Sequence, residues 1–256
     1  MDGVRLYARA LRPGRPGGAP VLMLHGLGVS AASLGPLAER LAERHPVLVV
    51  DLPGFGRSDD DRIWSTTEIA GAIGHLIDVR GLGRPVVVGH SYGCLVAAIV
   101  AAARPARARA VVMLSPAFDR RMGSALGQVV RLGIDGPMER PALVLGALGD
   151  YLRAGPRRVL ATLREAAGIP LEELVAGVGT PMLVVRGGRD PLTTTRWAEE
   201  LRSRAGGPAR VAVIPRAAHG IGHDAPTAVA AAIEAFLIGM GWRGHRQEWD
   251  RRRAPG

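Results

Sequence analysis

Short apolar runs alternate with longer amphipathic segments along most of the chain. Seven runs have the length of a β-strand: Val4–Ala10, Pro20–His25, Val47–Asp51, Pro85–Gly89, Ala110–Ser115, Met182–Arg186 and Arg210–Ile214. Most are continuous stretches of Val, Leu and Met, which is typical of strands covered on both faces. Strands that alternate with helices predict an α/β fold with a mostly parallel sheet flanked by helices.

Three of the segments between strands carry clear helix signals. Leu34–Arg44 places its apolar residues on one face, and Ser65 lies three residues before Glu68, the spacing of a capping box. Asp224 is predicted to be the N-cap of an Ala-rich helix that has Pro226 in its first turn and ends near Gly239.

One long stretch interrupts this alternation. About 60 residues between Ser115 and Met182 lack a strand signal, and an insertion of this size predicts a subdomain more than a loop. The stretch holds three helical segments: Met122–Leu132, Leu143–Arg153 and Pro156–Ala167. The predicted organisation is therefore a core of residues 1–116 and 179–241, an inserted helical cap of residues 117–178 and a basic C-terminal tail of residues 242–256.

Composition and charge exclude several classes of protein. The 256 residues suit one domain, and the net charge of +10 comes from 33 arginines without a single lysine. No arginine stripe interleaves with aromatic residues, so we expect no nucleic-acid partner. Cys94 is the only cysteine, which excludes an internal disulfide and favours a reducing compartment. Without a membrane-length apolar run or a signal peptide, we expect a soluble cytoplasmic protein with no membrane partner.

The pentapeptide Gly89-His90-Ser91-Tyr92-Gly93 is the most informative motif in the chain. It follows a predicted strand and precedes a predicted helix, and this is the context of a nucleophile elbow, in which a tight turn lifts the serine hydroxyl above the sheet. Ser91 is the predicted nucleophile. The alternative is an ordinary tight turn with Ser91 as a helix cap.

A nucleophilic serine needs a base and a carboxylate that orients the base. Asp190 follows one predicted strand and His219 follows the next, so both are expected at the carboxyl edge of the sheet with Ser91. We therefore predict Ser91, Asp190 and His219 as the catalytic residues. The alternatives are a turn carboxylate before Pro191 and a plain loop histidine.

Four motifs in this order make the chain resemble the α/β-hydrolase superfamily over nearly its whole length. They are His25-Gly26-Leu27-Gly28, the segment Asp51–Ser58, the Ser91 pentapeptide, and the Asp190 and His219 loops. The resemblance implies an α/β-hydrolase fold and an oxyanion hole formed by the backbone N–H groups of Leu27 and Tyr92.

The same resemblance bears on neighbouring candidates. It favours His219 over His223, because a proline follows the catalytic histidine by seven residues in such proteins and Pro226 has this spacing. Some members place the acid after the preceding strand, so Asp119 is a reserve candidate. Asp51 is expected to be structural, and Cys94 a small buried residue.

The implied activity is a serine hydrolase that cleaves an ester, thioester, lactone or related carbonyl compound through an acyl-enzyme on Ser91. A small acyl substrate is then the expected partner, and no metal or organic cofactor is implied. The alternative is a non-hydrolytic member of the same fold, which binds a ligand or catalyses cyclisation, elimination or carbon–carbon cleavage.

Two further expectations concern the Gly26 loop and the cap. The segment Gly26–Ala31 with Asp51 imitates a dinucleotide-binding fingerprint, although that reading leaves Asp190 and His219 unexplained. Apolar cap residues, with Leu132, Leu148 and Leu152 as candidates, are expected to line the acyl pocket. The cap is expected to set specificity without supplying residues to the chemistry.

Overall fold

A mostly parallel seven-stranded sheet forms the centre of the computed structural model, which describes residues 4–13, 17–59, 61–122, 127, 135 and 138–241. The strands are β1 (Ala8–Leu11), β2 (Val21–Leu24), β3 (Val47–Val50), β4 (Val86–His90), β5 (Ala110–Leu114), β6 (Met182–Gly187) and β7 (Ala209–Ile214). Their order across the sheet is β1-β3-β2-β4-β5-β6-β7, and only β1 runs antiparallel to its neighbour. The predicted fold class is confirmed.

Helices cover both faces of this sheet. The α-helices are α1 (Gly35–Leu41), α2 (Thr66–Val79), α3 (Tyr92–Ala103), α4 (Pro141–Ala154), α5 (Pro156–Gly168), α6 (Leu171–Leu174), α7 (Thr195–Arg204), α8 (Ile221–Asp224) and α9 (Pro226–Gly239). Short 3-10 turns lie at Ala31–Leu34, Pro105–Arg107, Arg120–Met122 and Val175–Gly177.

Two apolar clusters, one on each face of the sheet, form the core. One cluster joins β-strand residues to α2, α3 and α7, with Ile73, Leu95 and Trp197 fully buried. The other joins the opposite strand faces to α1 and α9, with Leu37 and Ile233 fully buried. Burial of both faces explains why the strands read as continuous apolar runs.

All seven predicted strands are present, with small differences at their ends. The first begins at Ala8 instead of Val4 and is half exposed at the edge of the sheet, where the apolar pattern is weakest. The capping box at Ser65 is formed as predicted. The N-cap prediction for Asp224 is wrong: Asp224 ends α8, Ala225 is the N-cap of α9, and the Asp224 carboxylate instead accepts a hydrogen bond from the backbone N–H of Arg140.

The inserted segment contributes helices α4 and α5, which cover the carboxyl edge of the sheet. Two side chains of α5 tie it to the core: Glu165 accepts from the backbone N–H of Thr66 at the start of α2, and Arg158 donates to the carbonyl of Gly54. The predicted helix Met122–Leu132 and the tail 242–256 lie outside the described residues, apart from Met122 and Gly127. The domain division at residues 117 and 178 stays a prediction.

No helix in the described part of the chain is long and apolar enough to span a lipid bilayer.

Truncating the apolar face of α2 tests the packing of the core. Ile73 is fully buried and Val79, on the same helix, is 61% exposed. We expect Ile73→Ala to lower the free energy of unfolding by roughly 2–5 kcal/mol, because it removes buried methyl groups and leaves a cavity. The matched change Val79→Ala should alter it by less than about 0.5 kcal/mol. Urea denaturation followed by circular dichroism measures both, and equal effects would contradict this packing.

Candidate active site

Ser91 occupies a strained turn between β4 and α3. Its backbone has φ 52° and ψ −114°, a conformation that side-chain-bearing residues rarely adopt. The backbone N–H of Ser91 donates to the carbonyl of Leu114 on the neighbouring strand β5, at 2.9 Å. The turn therefore projects the Ser91 side chain out of the carboxyl edge of the sheet, as an elbow requires.

The glycines on either side of Ser91 are required by space. A Cβ atom at Gly89 would overlap the backbone of Gly93, and one at Gly93 would overlap the carbonyl oxygens of Leu24 and His25. Helix α3 thus starts directly against strands β4 and β2. Gly89 and Gly93 permit this close packing of the helix on the two strands, because they lack a Cβ atom.

His219 and Asp190 meet at the same edge of the sheet. His219 Nδ1 lies 3.0 Å from Asp190 Oδ2, and the other carboxylate oxygen accepts the backbone N–H groups of Leu192 and Thr193 at 2.8 and 3.0 Å. Both side chains are almost completely buried. The contact places the proton of the neutral imidazole on Nδ1 and leaves Nε2 as a base.

Electrostatics reinforce this pair. Burial alone would raise the pKa of Asp190, but the charge of His219, its hydrogen bond and two peptide N–H groups hold that pKa well below its usual range. Burial alone would lower the pKa of His219, but the Asp190 carboxylate and, more weakly, Asp135 raise it. The surroundings favour the protonated imidazole.

His90 supports His219 from the elbow side, a role that the sequence did not predict. Its Nε2 lies 3.0 Å from the carbonyl oxygen of His219, and the two rings are 5.1 Å apart between centroids. Burial, followed by the nearby His219, lowers the pKa of His90 to about 4, so the ring is neutral and donates its Nε2–H. The only sequence signal was its position beside Ser91 in the pentapeptide.

The loop from His25 to Gly28 runs beside the elbow. His25 accepts the backbone N–H of Leu52 at Nε2 (2.9 Å) and therefore donates from Nδ1 to the carbonyl of Gly26 (2.8 Å). The backbone N–H of Tyr92 is the first of α3, where helix N–H groups lack intrahelical partners. Leu27 and Ser91 line the same cavity.

Other candidates have structural contacts. Asp51 accepts the backbone N–H groups of Ala31 and Arg57 at 2.6 and 2.8 Å, so it braces the loops on either side. Asp119 pairs with Arg121 at 2.9 Å and does not contact His219, which is bound to Asp190. Cys94 is buried against the carbonyl of Gly89.

A cavity of about 470 Å³ opens above Ser91. Core residues from the elbow and the His219 loop form its floor, and apolar residues of α4 and α5 form its roof. The roof includes Leu143, Val144, Ala147, Leu148, Tyr151, Val159 and Leu163. His223 lies on its wall, as expected for a neighbour of His219.

The segment predicted as a cap differs from expectation in two respects. Leu148 lines the cavity, but Leu152 is 74% exposed and does not, while Leu132 lies outside the described residues. Two acidic residues of the cap, Asp135 and Glu139, also line the cavity beside His219 and were not predicted. Neither stands in a recognisable motif, because their partners are backbone atoms about 80 residues away along the chain.

Among residues 4–13, 17–59, 61–122, 127, 135 and 138–241, no cluster of three or more His, Cys, Asp or Glu side chains has the arrangement of a metal site. The ring of Tyr151 lies where a side chain on Gly28 would project, so helix α4 covers the glycine loop that imitates a dinucleotide fingerprint.

Adding a methyl group on the elbow helix tests its close approach to the sheet. Gly93→Ala would push a Cβ atom into the backbone of β2, so we expect a loss of roughly 1–3 kcal/mol of stability together with most of the activity. Gly146, in helix α4, faces open space, and Gly146→Ala should instead stabilise by about 0.5–1 kcal/mol. Thermal unfolding and esterase assays on both variants distinguish the two cases. A Gly93→Ala protein as stable as Gly146→Ala would contradict this geometry.

Known proteins resemble this chain in sequence. The family model described as "Alpha/beta hydrolase family" matches residues 21–232. A pimeloyl-[acyl-carrier protein] methyl ester esterase of Neisseria meningitidis is 27% identical over 86% of this chain and 93% of its own. Lipase LipV of Mycobacterium tuberculosis is 42% identical over 119 residues, which are 46% of this chain and 45% of that lipase.

Solved structures show the same fold. An esterase from Thermogutta terrifontis superposes with a TM-score of 0.77 at 23% identity, covering 92% of this chain and 94% of that one. Because the family model spans most of the sequence, the chain belongs to the alpha/beta hydrolase family.

Proposed function

We propose that the protein hydrolyses a small carboxylic ester through an acyl-enzyme on Ser91, with His219 as general base and Asp190 as the residue that orients it. The chain is a carboxylic ester hydrolase, as its family and its esterase and lipase relatives indicate. The proposal assigns the residues and the order of steps.

The hydrogen bond between His219 Nδ1 and Asp190 Oδ2 carries this proposal. It leaves Nε2 as the free nitrogen of a buried imidazole that shares a cavity with Ser91. Ser91 Oγ has no hydrogen-bond partner among the described residues, so its hydroxyl is available to a bound substrate. Contacts between nucleophile and base often tighten only when substrate binds.

In the first step, His219 Nε2 takes the proton of the Ser91 hydroxyl as Oγ attacks the carbonyl carbon of the ester. The C=O π pair moves to oxygen, and the resulting oxyanion accepts hydrogen bonds from the backbone N–H groups of Leu27 and Tyr92. The imidazolium, held by Asp190, returns its proton to the departing alcohol as the C–O bond breaks.

Water completes the cycle. His219, neutral again, removes a proton from water, the hydroxide oxygen attacks the acyl carbon, and the same N–H groups bind the second oxyanion. The proton then passes to Ser91 Oγ and the carboxylic acid leaves. Two N–H donors of this kind each lower the barrier by roughly 3–4 kcal/mol.

The cavity favours an aliphatic acyl group. Its roof is Leu, Val, Ala and one Tyr from α4 and α5, and its volume of about 470 Å³ suits a ligand of modest size. The relatives named as a methyl ester esterase and a lipase support an ester substrate. The cytoplasmic location and the absence of a nucleic-acid partner stay predictions.

Removing the Ser91 hydroxyl tests the mechanism. We expect Ser91→Ala to lower kcat by a factor on the order of 10⁴–10⁶ and to abolish labelling by a fluorophosphonate, because the triad acts as a unit. Ser203→Ala, which removes a hydroxyl from the exposed face of α7, is the matched control. Wild-type turnover by Ser91→Ala would refute the acyl-enzyme. Labelled protein that cleaves no ester, thioester or lactone would favour the non-hydrolytic alternative.

Two leucines on the same cap helix test the acyl pocket. Leu148 lines the cavity and is 56% exposed, whereas Leu152 is 74% exposed and does not line it. With p-nitrophenyl esters of increasing acyl length, Leu148→Ala should change the ratio of kcat/KM between long and short esters by about 10-fold or more, since a lost apolar contact amounts to roughly 1–3 kcal/mol. Leu152→Ala should leave the ratio unchanged. Equal effects of the two substitutions would remove α4 from the pocket.

A further inference from the structure

Two acidic side chains of the cap reach the backbone of the catalytic histidine. Asp135 Oδ1 accepts the backbone N–H of His219 at 3.0 Å, and Glu139 Oε1 accepts the backbone N–H of Gly220 at 2.6 Å. Asp135 is 2% exposed. A third hydrogen bond joins a core side chain to the cap backbone: Asp224 accepts the backbone N–H of Arg140 at 3.2 Å.

With these contacts, His219 is held through its ring, its backbone carbonyl and its backbone N–H. Its ring is bound by Asp190, its carbonyl oxygen accepts from His90, and its N–H is bound by Asp135. Each polar part of His219 thus has a partner: the ring, the backbone N–H and the backbone carbonyl. Only the partner of the N–H comes from the cap.

Resting on the function proposed above, we propose that Asp135 and Glu139 are positioning residues of the reaction. They hold the His219–Gly220 backbone in place, and the Asp135 carboxylate acts with Asp190 on the charge of His219. On this proposal the cap supports the general base in addition to its expected part in specificity.

Glu139 connects the cluster as a neutral acid. Its carboxyl group lies within hydrogen-bonding reach of both Asp135 and Asp224, and its buried Oε2 receives no hydrogen bond from any described donor. Burial and these two carboxyl groups raise the pKa of Glu139 to about 10, so it carries a proton at neutral pH. A protonated Glu139 donates to a neighbouring carboxylate while its Oε1 accepts from Gly220.

The pKa values of the two carboxyl partners of Glu139 shift in opposite directions. Burial would raise the pKa of Asp224, but hydrogen bonds from Glu139, His223 and the backbone of Arg140 lower it. Asp135 accepts the backbone N–H of His219, and its charge raises the pKa of His219, while burial raises the pKa of Asp135 itself. The groups that face His219 are therefore two carboxylates, Asp190 and Asp135, and one neutral imidazole, His90.

Four variants separate the hydrogen bonds from the charges. Asp135→Asn keeps an acceptor for His219 N–H but removes the charge, and Asp135→Ala removes both. Glu139→Gln imitates the neutral acid, and Glu139→Ala does not. Glu39→Gln is the matched control, since Glu39 is an exposed carboxylate of α1 paired with Arg9. p-Nitrophenyl acetate is the substrate, because its short acyl group makes few contacts with the cap.

The pH dependence of kcat/KM is the decisive readout. Hydrolysis needs neutral His219, and the charge of Asp135 raises its pKa, so in Asp135→Asn the acid limb should move to lower pH by about half a unit or more. Asp135→Ala should lower kcat about 10-fold with a smaller change in KM. Glu139→Gln should recover most of the activity that Glu139→Ala loses.

Stability gives a second readout for Glu139. The pKa of Glu139 is about 10 in the folded protein and about 4.3 in the unfolded chain. The free energy of unfolding therefore falls as the pH rises from about 4.3 towards 10. The glutamine side chain of Glu139→Gln cannot ionise. The melting temperature of this variant should therefore rise relative to that of the wild type as the pH is raised from 6 to 9. If the melting temperature shows no such gain, the neutral-acid assignment is overturned.

The outcomes are separable from those of the proposed function. If Ser91→Ala retains turnover or fluorophosphonate labelling, the acyl-enzyme fails whatever the cap variants do. If Ser91→Ala is inactive but Asp135→Asn keeps the wild-type pH profile and Asp135→Ala the wild-type kcat, the positioning role alone is overturned. If the variants at Asp135 and Glu139 change only KM, the positioning role is also overturned, because the two residues would then act in substrate binding.

Discussion

The backbone of Ser91 is the constraint on which the rest of the site depends. A non-glycine residue held at positive φ costs roughly 1–3 kcal/mol, and only surrounding structure can hold it there. Here the neighbouring strand β5 binds its N–H, and α3 packs so closely on β2 and β4 that Gly89 and Gly93 leave no room for a Cβ atom. The strained turn is therefore sustained by the middle of the sheet.

The parallel sheet then brings the other groups to the same place. β4, β5, β6 and β7 are successive neighbours with their carboxyl ends at one edge, so residues far apart in sequence meet there. Burial makes the meeting of His219 and Asp190 consequential, because a weakly solvated ion pair interacts more strongly than one in water. Peptide N–H groups on the second oxygen of Asp190 keep it ionised and fix its orientation.

The segment inserted between β5 and β6 contacts the site through polar groups as well as through apolar side chains. Glu165 and Arg158 bind α5 to the start of α2 and to the Gly54 loop, away from the reacting atoms. Asp135 and Glu139 bind the histidine loop itself. In the proposed mechanism, the same hydrogen bonds that seat the cap also hold the general base, so the closure of the cavity and the alignment of His219 are coupled.

The sequence by itself determined the strands, the fold class and the positions of Ser91, Asp190 and His219 in the loops after their strands. These follow from local signals: continuous apolar runs, glycines around a serine, and polar residues directly after buried strands. Only the tertiary structure decided the contacts of His90, Asp135, Glu139 and Asp224, and which of Leu148 and Leu152 lines the cavity. In those contacts side chains bind backbone atoms of distant segments, which requires no particular residue nearby in the sequence and so leaves no local pattern.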